Sequence, residues 1–399
     1  MVVDFSTQNT LLLAILVLFI GKLINRKVPF FRDYDIPEPV TGGLFVSIIF
    51  GLLHMQDIEL VFDTNLRNSL LLAFFTSVGL SARLGTLIQG GRALIVFLGL
   101  LIVALLFQNA IGVTLASLLG LDPVVGLISG SISLSGGHGT AIAWAPQLSE
   151  TFGINNAMEL GGVCATFGLI LGGFTGGPLA ERLIRKQNLI SHSKEHITIG
   201  SRYDEEHESI DAENTLIALL VVVCAMTGGS KATQWLTGYG LFIPEFVGCL
   251  FAGILITNLL PILWPRSQWD GSTPSLALIS DVALGLFLAM SLMSMKLWLL
   301  ATMAGPLLIL LAAQTLMMLI FVYFIVYRFM GRDFDAAVMS SGFVGIGLGA
   351  TPNAMANMTA VTQHYGASPK AFVVVPLAGA FFIDIVNSVV IRLFINLIS

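Results

Sequence analysis

Residues 130–140 read GSISLSGGHGT, and residues 345–355 read GIGLGATPNAM. The first stretch holds four glycines, three serines, a threonine and a histidine, with only Ile132 and Leu134 as large apolar side chains. Both stretches sit among long runs of Leu, Ile, Val and Phe. Bare backbone in apolar surroundings must be satisfied by protein or water, so neither reads as a lipid-facing helix. The fold depends on what these two stretches are.

Of the 399 residues, 55% are hydrophobic and 11% are charged, against about 25% charged in an ordinary soluble domain. That leaves too few charges to coat a soluble surface. Residues 93–119 and 297–327 carry no charge at all, and such runs read as membrane helices rather than the alternating strands of a barrel. The expected fold is an all-α polytopic membrane protein. Ten spans are expected near 9–25, 38–54, 68–84, 93–119, 155–181, 214–230, 242–262, 275–295, 301–327 and 370–396. Between them, 123–148 and 334–360 read as re-entrant hairpins that enter and leave on one side.

Basic residues follow the first apolar run as Lys22, Arg26 and Lys27, where a signal peptide would carry them before it. The run therefore reads as a retained anchor with its N-terminus outside. This topology puts 15 of the 19 basic residues inside, leaving only Arg67, Lys231, Lys296 and Arg392 outside. Such a bias is expected of cytoplasmic loops. Counting either hairpin as a full span inverts everything after it and spoils the asymmetry. Both termini then lie on the outer side, the hairpins on opposite sides, and 185–213 is a cytoplasmic linker. Its His192, His196 and His207 read as solvated. Cys164, Cys224 and Cys249 lie far apart in apolar stretches and read as core packing.

The halves on either side of the linker echo each other. IPEPV at 36–40 returns as IPEFV at 243–247, and Gly120, Asp122, Gly136 and Thr140 return as Gly331, Asp333, Gly347 and Thr351. TFGI at 151–154 answers HYGA at 364–367. With five spans in each half, residues 1–184 and 214–399 form an inverted repeat. Inverted repeats with broken segments in corresponding places point to a secondary transporter and its binding site. One fold in two opposite orientations has outward- and inward-open forms of comparable energy.

The glycine-rich pair supplies chemistry suited to a carrier. A tip turning into a helix offers free N–H groups and the positive dipole end to a carboxylate. Free carbonyls and Ser, Thr and Asn oxygens suit a small hard cation. Pro352 after Thr351 fits a first helical turn. Small residues in membrane helices also serve tight packing, but two such stretches at matching repeat positions favour a site. In the last span Asp384 lies within an apolar run; a centred Asp costs roughly 2.5–3.5 kcal/mol on insertion scales, so it should face the interior and have a partner. Asn387, three residues on, shares its helix face. Gln108, Asn109 and Gln314 read equally as structural glue or site lining. Ser135 has no base but His138, three residues away, which argues against an intramembrane hydrolase. His138 has no second metal ligand in range, and the Gly-Lys-Ser/Thr ending of a phosphate loop is missing. These residues point to a cation-coupled carrier of a small anion.

IPEPVTGGL, QNAIG, SLLGLDP, LSGGHGT, CATFG, GLGATP and GAFFIDIVN together resemble the bacterial sodium/glutamate symporter family from about residue 10 to 398, with only the central linker poorly matched. The resemblance implies sodium-coupled uptake of L-glutamate across the bacterial inner membrane, a homodimeric scaffold and an elevator-like transport domain holding both hairpins. It implies no cofactor, no transition metal, no nucleic acid and no enzymatic step. On this basis Ser135, Gly136, Gly137, His138, Gly139, Thr140, Gly347, Gly349, Thr351, Pro352, Asn353 and Asp384 are expected to bind glutamate. Ser133, Thr166, Gly345, Asn357, Asp384 and Asn387 are the expected sodium ligands. The alternatives are a sodium- or proton-coupled carrier of another organic anion, such as a dicarboxylate, and an ion channel.

Overall fold

The computed structural model describes residues 2–33, 36–63, 65–83, 85, 91–191, 210–238, 244–263, 273–298 and 303–398. Most of the linker, with His192, His196 and His207, lies outside these residues. In chain order the first half comprises α1 (Thr7–Lys27), α2 (Pro29–Asp33), α3 (Glu38–His54), α4 (Asn65–Ser81), α5 (Gly91–Leu118), α6 (Pro123–Leu127), α7 (Gly137–Phe152) and α8 (Ala157–Gln187). The second comprises α9 (Ala212–Gly238), α10 (Glu245–Leu263), α11 (Pro274–Met293), α12 (Ala304–Phe321), α13 (Tyr327–Phe329), α14 (Phe334–Leu348), α15 (Thr351–Tyr365), α16 (Pro369–Leu377) and α17 (Ile383–Ile398). Helix occupies each of the ten stretches read as spans. Among the described residues six helices are long and apolar enough to cross a membrane: Thr7–Lys27, Gly91–Leu118, Ala157–Gln187, Ala212–Gly238, Pro274–Met293 and Ala304–Phe329.

The all-α expectation needs one amendment. β1 (Val2–Phe5) pairs in parallel with β2 (Glu59–Phe62), Val2 opposite Glu59 and Phe5 opposite Phe62. Both are four-residue segments outside the long runs in which Val2, Val3, Phe5, Val61 and Phe62 are β-branched or aromatic, and Phe5 stacks on Phe62 at 5.1 Å. Beyond β2, the Thr7 hydroxyl and then the Asn65 N–H donate to Asp63 and hold its carboxyl below the usual range. The cysteine expectation also changes. Cys164 and Cys249 are buried, but Cys224 is exposed on the outward face of α9.

Compact units cut across the sequence halves. The first comprises Met1–Lys22, Gly42–Thr86 and Thr198–Ser294. Within it α4 packs on α10 and α11, and α9 packs on α10. Gly79 faces the Leu250 backbone, and a Cβ on Gly253 would stand 2.7 Å from Leu80 N, so α4 and α10 meet backbone to backbone. Thr257 Oγ1 donates to Leu80 O at 2.6 Å and Asn258 Nδ2 to Ala82 O at 2.8 Å. These satisfy carbonyls that the end of α4 leaves without an intrahelical donor. Ala14, Val17, Val46, Ala289, Met290 and Met293 form one of its apolar clusters.

The second unit comprises Leu23–Thr41, Leu87–Ile197 and Met295–Ser399. Here α8 packs on α7, α14 and α15, while α5 packs on α6 and α12. Phe343 touches Phe97 and Phe321, with ring centroids 5.1 and 6.1 Å away. Each unit thus draws helices from both halves of the sequence.

Residues matched between the two halves of the sequence have similar local roles. Gly120 and Gly331 both take positive φ, +72° and +122°. Asp122 then caps α6 by accepting from Val124 N at 2.9 Å, and Asp333 caps α14 by accepting from Ala336 N at 2.7 Å. Gly153 and Gly366 end α7 and α15 with φ +72° and +111°. Losing an N-cap costs about 1 kcal/mol. Asp122→Ala and Asp333→Ala are each predicted to lower the thermal midpoint in detergent, with the Asn variants close to wild type. An Asp333→Asn protein as unstable as Asp333→Ala would argue against the capping role.

Candidate functional site

The first glycine-rich stretch breaks a helix. α6 runs into a π-helical turn at Ile128–Ile132, in which Gly130 leaves helical geometry at φ −98°, ψ −130°. The chain restarts as α7 at Gly137, whose φ of +65° suits glycine. The second stretch also breaks. α14 ends at Leu348, Gly349 leaves helical geometry at φ −142°, ψ −105°, Ala350 is extended, and α15 starts at Thr351 with Pro352 in its first turn. Pro352 lacks an N–H that would have no partner there.

The two breaks meet. Gln108, fully buried in α5, donates from Nε2 to Gly347 O at 2.7 Å and accepts at Oε1 from Ser135 Oγ at 2.7 Å. Ser135 Oγ also lies 3.0 Å from Gly347 O. Gln314 Nε2 of α12 donates to the Gln108 carbonyl at 2.7 Å. One side chain therefore holds the start of the α7 break against the end of α14, and a second fastens it from behind.

α8 secures the other side. Gly168, Gly172 and Gly176 line one face at four-residue spacing. A Cβ on Gly172 would stand 3.4 Å from Gly349 N, and Gly168 faces the Leu348 carbonyl. This lets Asn353 Nδ2 reach Leu169 O and Asn357 Nδ2 reach Gly172 O, both at 2.9 Å. Gly345 lies where α14 and α15 pack backbone to backbone, against Ala354. Thr351 Oγ1 donates to Gly379 O at 2.9 Å, tying the start of α15 to the π-helical turn Ala378–Phe382.

The remaining predicted groups divide by exposure. Gly136, Gly137 and Gly139 are half-buried, while Thr140 and Ser133 are buried. Buried His138 places Nε2 2.9 Å from Thr166 Oγ1, and the Thr166 hydroxyl lies 2.9 Å from Gly162 O. This joins α7 to α8. Among the described residues no group of three or more His, Cys, Asp and Glu could hold a metal ion. Asn387 is fully buried and donates from Nδ2 to Ser131 O at 2.8 Å. Asp384 is half-buried, and its carboxylate has no hydrogen-bond partner among the described residues. The protein partner expected for it from the sequence is therefore not found there.

The sequence model of the sodium/glutamate symporter family matches residues 3–367. The chain belongs to that family. The sodium/glutamate symporter of Escherichia coli (strain K12) is 43% identical over 396 residues, covering 98% of each chain. That of Haemophilus influenzae (strain ATCC 51907 / DSM 11121 / KW20 / Rd) is 41% identical over 396 residues, covering 97% of this chain and 96% of the relative.

In this family member, several of the polar side chains that organise the site were not among the expected ligands. Gln108, Asn109 and Gln314 are fully buried and hold backbone at the breaks. Their signal was an amide inside an uncharged apolar run, which sequence alone reads equally as glue or lining. Ser131 had no signal of its own. Its role follows from the kink at Gly130, which frees its N–H and C=O from the helical ladder.

Proposed function

We propose that this protein carries L-glutamate into the bacterial cell together with sodium. Membership of the sodium/glutamate symporter family over almost the whole chain supports this reading most strongly. Two broken helices joined through Gln108 supply the polar backbone that an anion carrier needs. Helix restarts at Gly137 and Thr351 turn N–H groups toward the breaks, and a carboxylate suits them. Sodium lowers the cost of bringing the anion in. Each net positive charge moved inward across 100 mV adds about 2.3 kcal/mol, roughly a 50-fold gradient.

In this reading the chain crosses the inner membrane ten times with both termini outside, and 123–148 and 334–360 are re-entrant. The charge asymmetry supports that orientation. The second compact unit is the moving transport domain and the first a dimeric scaffold, in an elevator cycle. The division of both sequence halves between the two units supports the assignment. Ser135 to Thr140 and Gly347 to Asn353 hold the carboxylates, and Asp384 holds the ammonium group or a sodium ion. Ser133, Thr166, Gly345, Asn357 and Asn387 supply further oxygens to sodium.

Counterflow of labelled glutamate in proteoliposomes, with and without a sodium gradient, tests the function. Sodium-dependent, saturable uptake with trans-stimulation is expected, and a channel would lack the last property. Equal uptake without sodium rejects the coupling. Stronger competition by succinate or citrate than by unlabelled glutamate would assign another organic anion.

A further inference from the structure

Four fully buried polar side chains gather where α6 breaks: Asn109, Ser131, Gln314 and Asn387. Gly130 lies between two of them. A methyl group there would stand 3.1 Å from Asn109 Oδ1 and 3.4 Å from Gln314 Nε2. Backbone partners fix the orientation of each amide. Asn109 Oδ1 accepts from Ser131 N at 3.1 Å, Asn387 Nδ2 donates to Ser131 O at 2.8 Å, and Gln314 Nε2 donates to Gln108 O at 2.7 Å. Flipping any of them would set donor against donor or acceptor against acceptor. The ends left over are therefore defined: the Ser131 hydroxyl, the Asn387 and Gln314 oxygens, and the Asn109 NH2. None has a hydrogen-bond partner among the described residues.

Each such group, buried and unpaired, loses its hydration with nothing in exchange, and native proteins keep few of them. Two of the oxygens belong to amides and can only accept, so they need an electropositive partner. The set is uncharged, whereas calcium and similar divalent ions draw on carboxylates. From this we infer that Ser131 Oγ, Asn387 Oδ1 and Gln314 Oε1 are ligands of a monovalent sodium-sized cation, with the Asn109 NH2 holding a water that completes its shell. The inference rests on the symport reading and adds to it a location, with three residues outside the expected sodium set. A buried water alone is the competing occupant, since it also needs two to four polar partners.

Ser131→Ala separates the two occupants. It removes an unpaired hydroxyl and leaves the three backbone ties in place, so a purely structural role predicts unchanged or higher stability. Thermal unfolding of purified protein in detergent is followed against sodium chloride, with potassium and choline chloride at equal ionic strength and no glutamate. Sodium alone is expected to raise the midpoint of wild type. In Ser131→Ala the half-saturating sodium concentration should rise about 10-fold or more, and Ser131→Thr, which keeps the hydroxyl, should restore it. Gln314→Met should raise it likewise. Unchanged half-saturation in both Ser131→Ala and Gln314→Met overturns the site, as does a wild-type midpoint indifferent to sodium. Uptake by wild-type proteoliposomes, measured alongside, separates the two failures. If uptake stays sodium-dependent the site alone is wrong, and if it does not the symport reading falls too.

Discussion

Asp384→Asn is expected to lower sodium-driven glutamate uptake about 100- to 4,000-fold while leaving the protein folded and as stable as wild type, or more so. The sign of each effect comes from the site. The carboxylate is half-buried in α17 with no hydrogen-bond partner among the described residues, so in the absence of ligand its desolvation is not offset by the protein. Asn keeps the shape and removes the charge, which relieves a cost of roughly 2.5–3.5 kcal/mol on insertion scales. When an ammonium group or sodium ion occupies the site, the same change breaks a buried ion pair, worth about 3–5 kcal/mol. At 1.4 kcal/mol per tenfold, that is the stated loss. Uptake and thermal unfolding are read on the same preparations. Near-normal uptake with normal sodium dependence would remove Asp384 from the site. A collapse in stability would make it a structural residue instead.

Gln108→Leu is expected to be the most damaging change outside the ligands themselves. It strips Gly347 O of its amide donor and Ser135 Oγ of the acceptor 2.7 Å away, in a position with no exposure. Ser135 Oγ and Gly347 O keep their 3.0 Å contact with each other, but losing two buried hydrogen bonds at about 1 kcal/mol each weakens the join between the breaks, and uptake should fall about 30-fold. Ser135→Ala leaves the Gln108–Gly347 bond intact and should cost far less. Combining the two tests the network: because they share one partner set, their effects should be non-additive by about 0.5–3 kcal/mol. Strict additivity, or a Gln108→Leu protein with wild-type uptake, would show that the breaks do not depend on this side chain.

The cap residues and the buried amides differ in how they could be read. Gly120 and Asp122, like Gly331 and Asp333, act on backbone two to three residues away, so their spacing alone places a turn and a helix start. Gln108 acts on Gly347, 239 positions later, and Asn387 on Ser131, 256 positions earlier. Nothing in the neighbourhood of either residue names its partner. Asn353 and Asn357 show the same limit. Their types suggested ligands, yet their Nδ2 groups are held by carbonyls of α8, reachable only because glycines on α8 let α15 approach. β1 escaped notice for a related reason. A four-residue strand is defined by its partner, and β2 lies more than fifty residues on.

By itself the sequence determined the helices, their approximate ends and the place of the two breaks. Unbroken apolar runs, glycines with positive φ and side-chain caps are local causes, complete within a few residues. The tertiary structure alone decided which polar groups are held and which are left over: Gln108, Asn353 and Asn357 fasten backbone, while Asp384, Asn387 Oδ1, Gln314 Oε1 and the Ser131 hydroxyl find no hydrogen-bond partner among the described residues. A polar side chain in an apolar helix must satisfy its hydrogen bonds, but whether with backbone or with ligand depends on what another part of the chain brings within 3 Å.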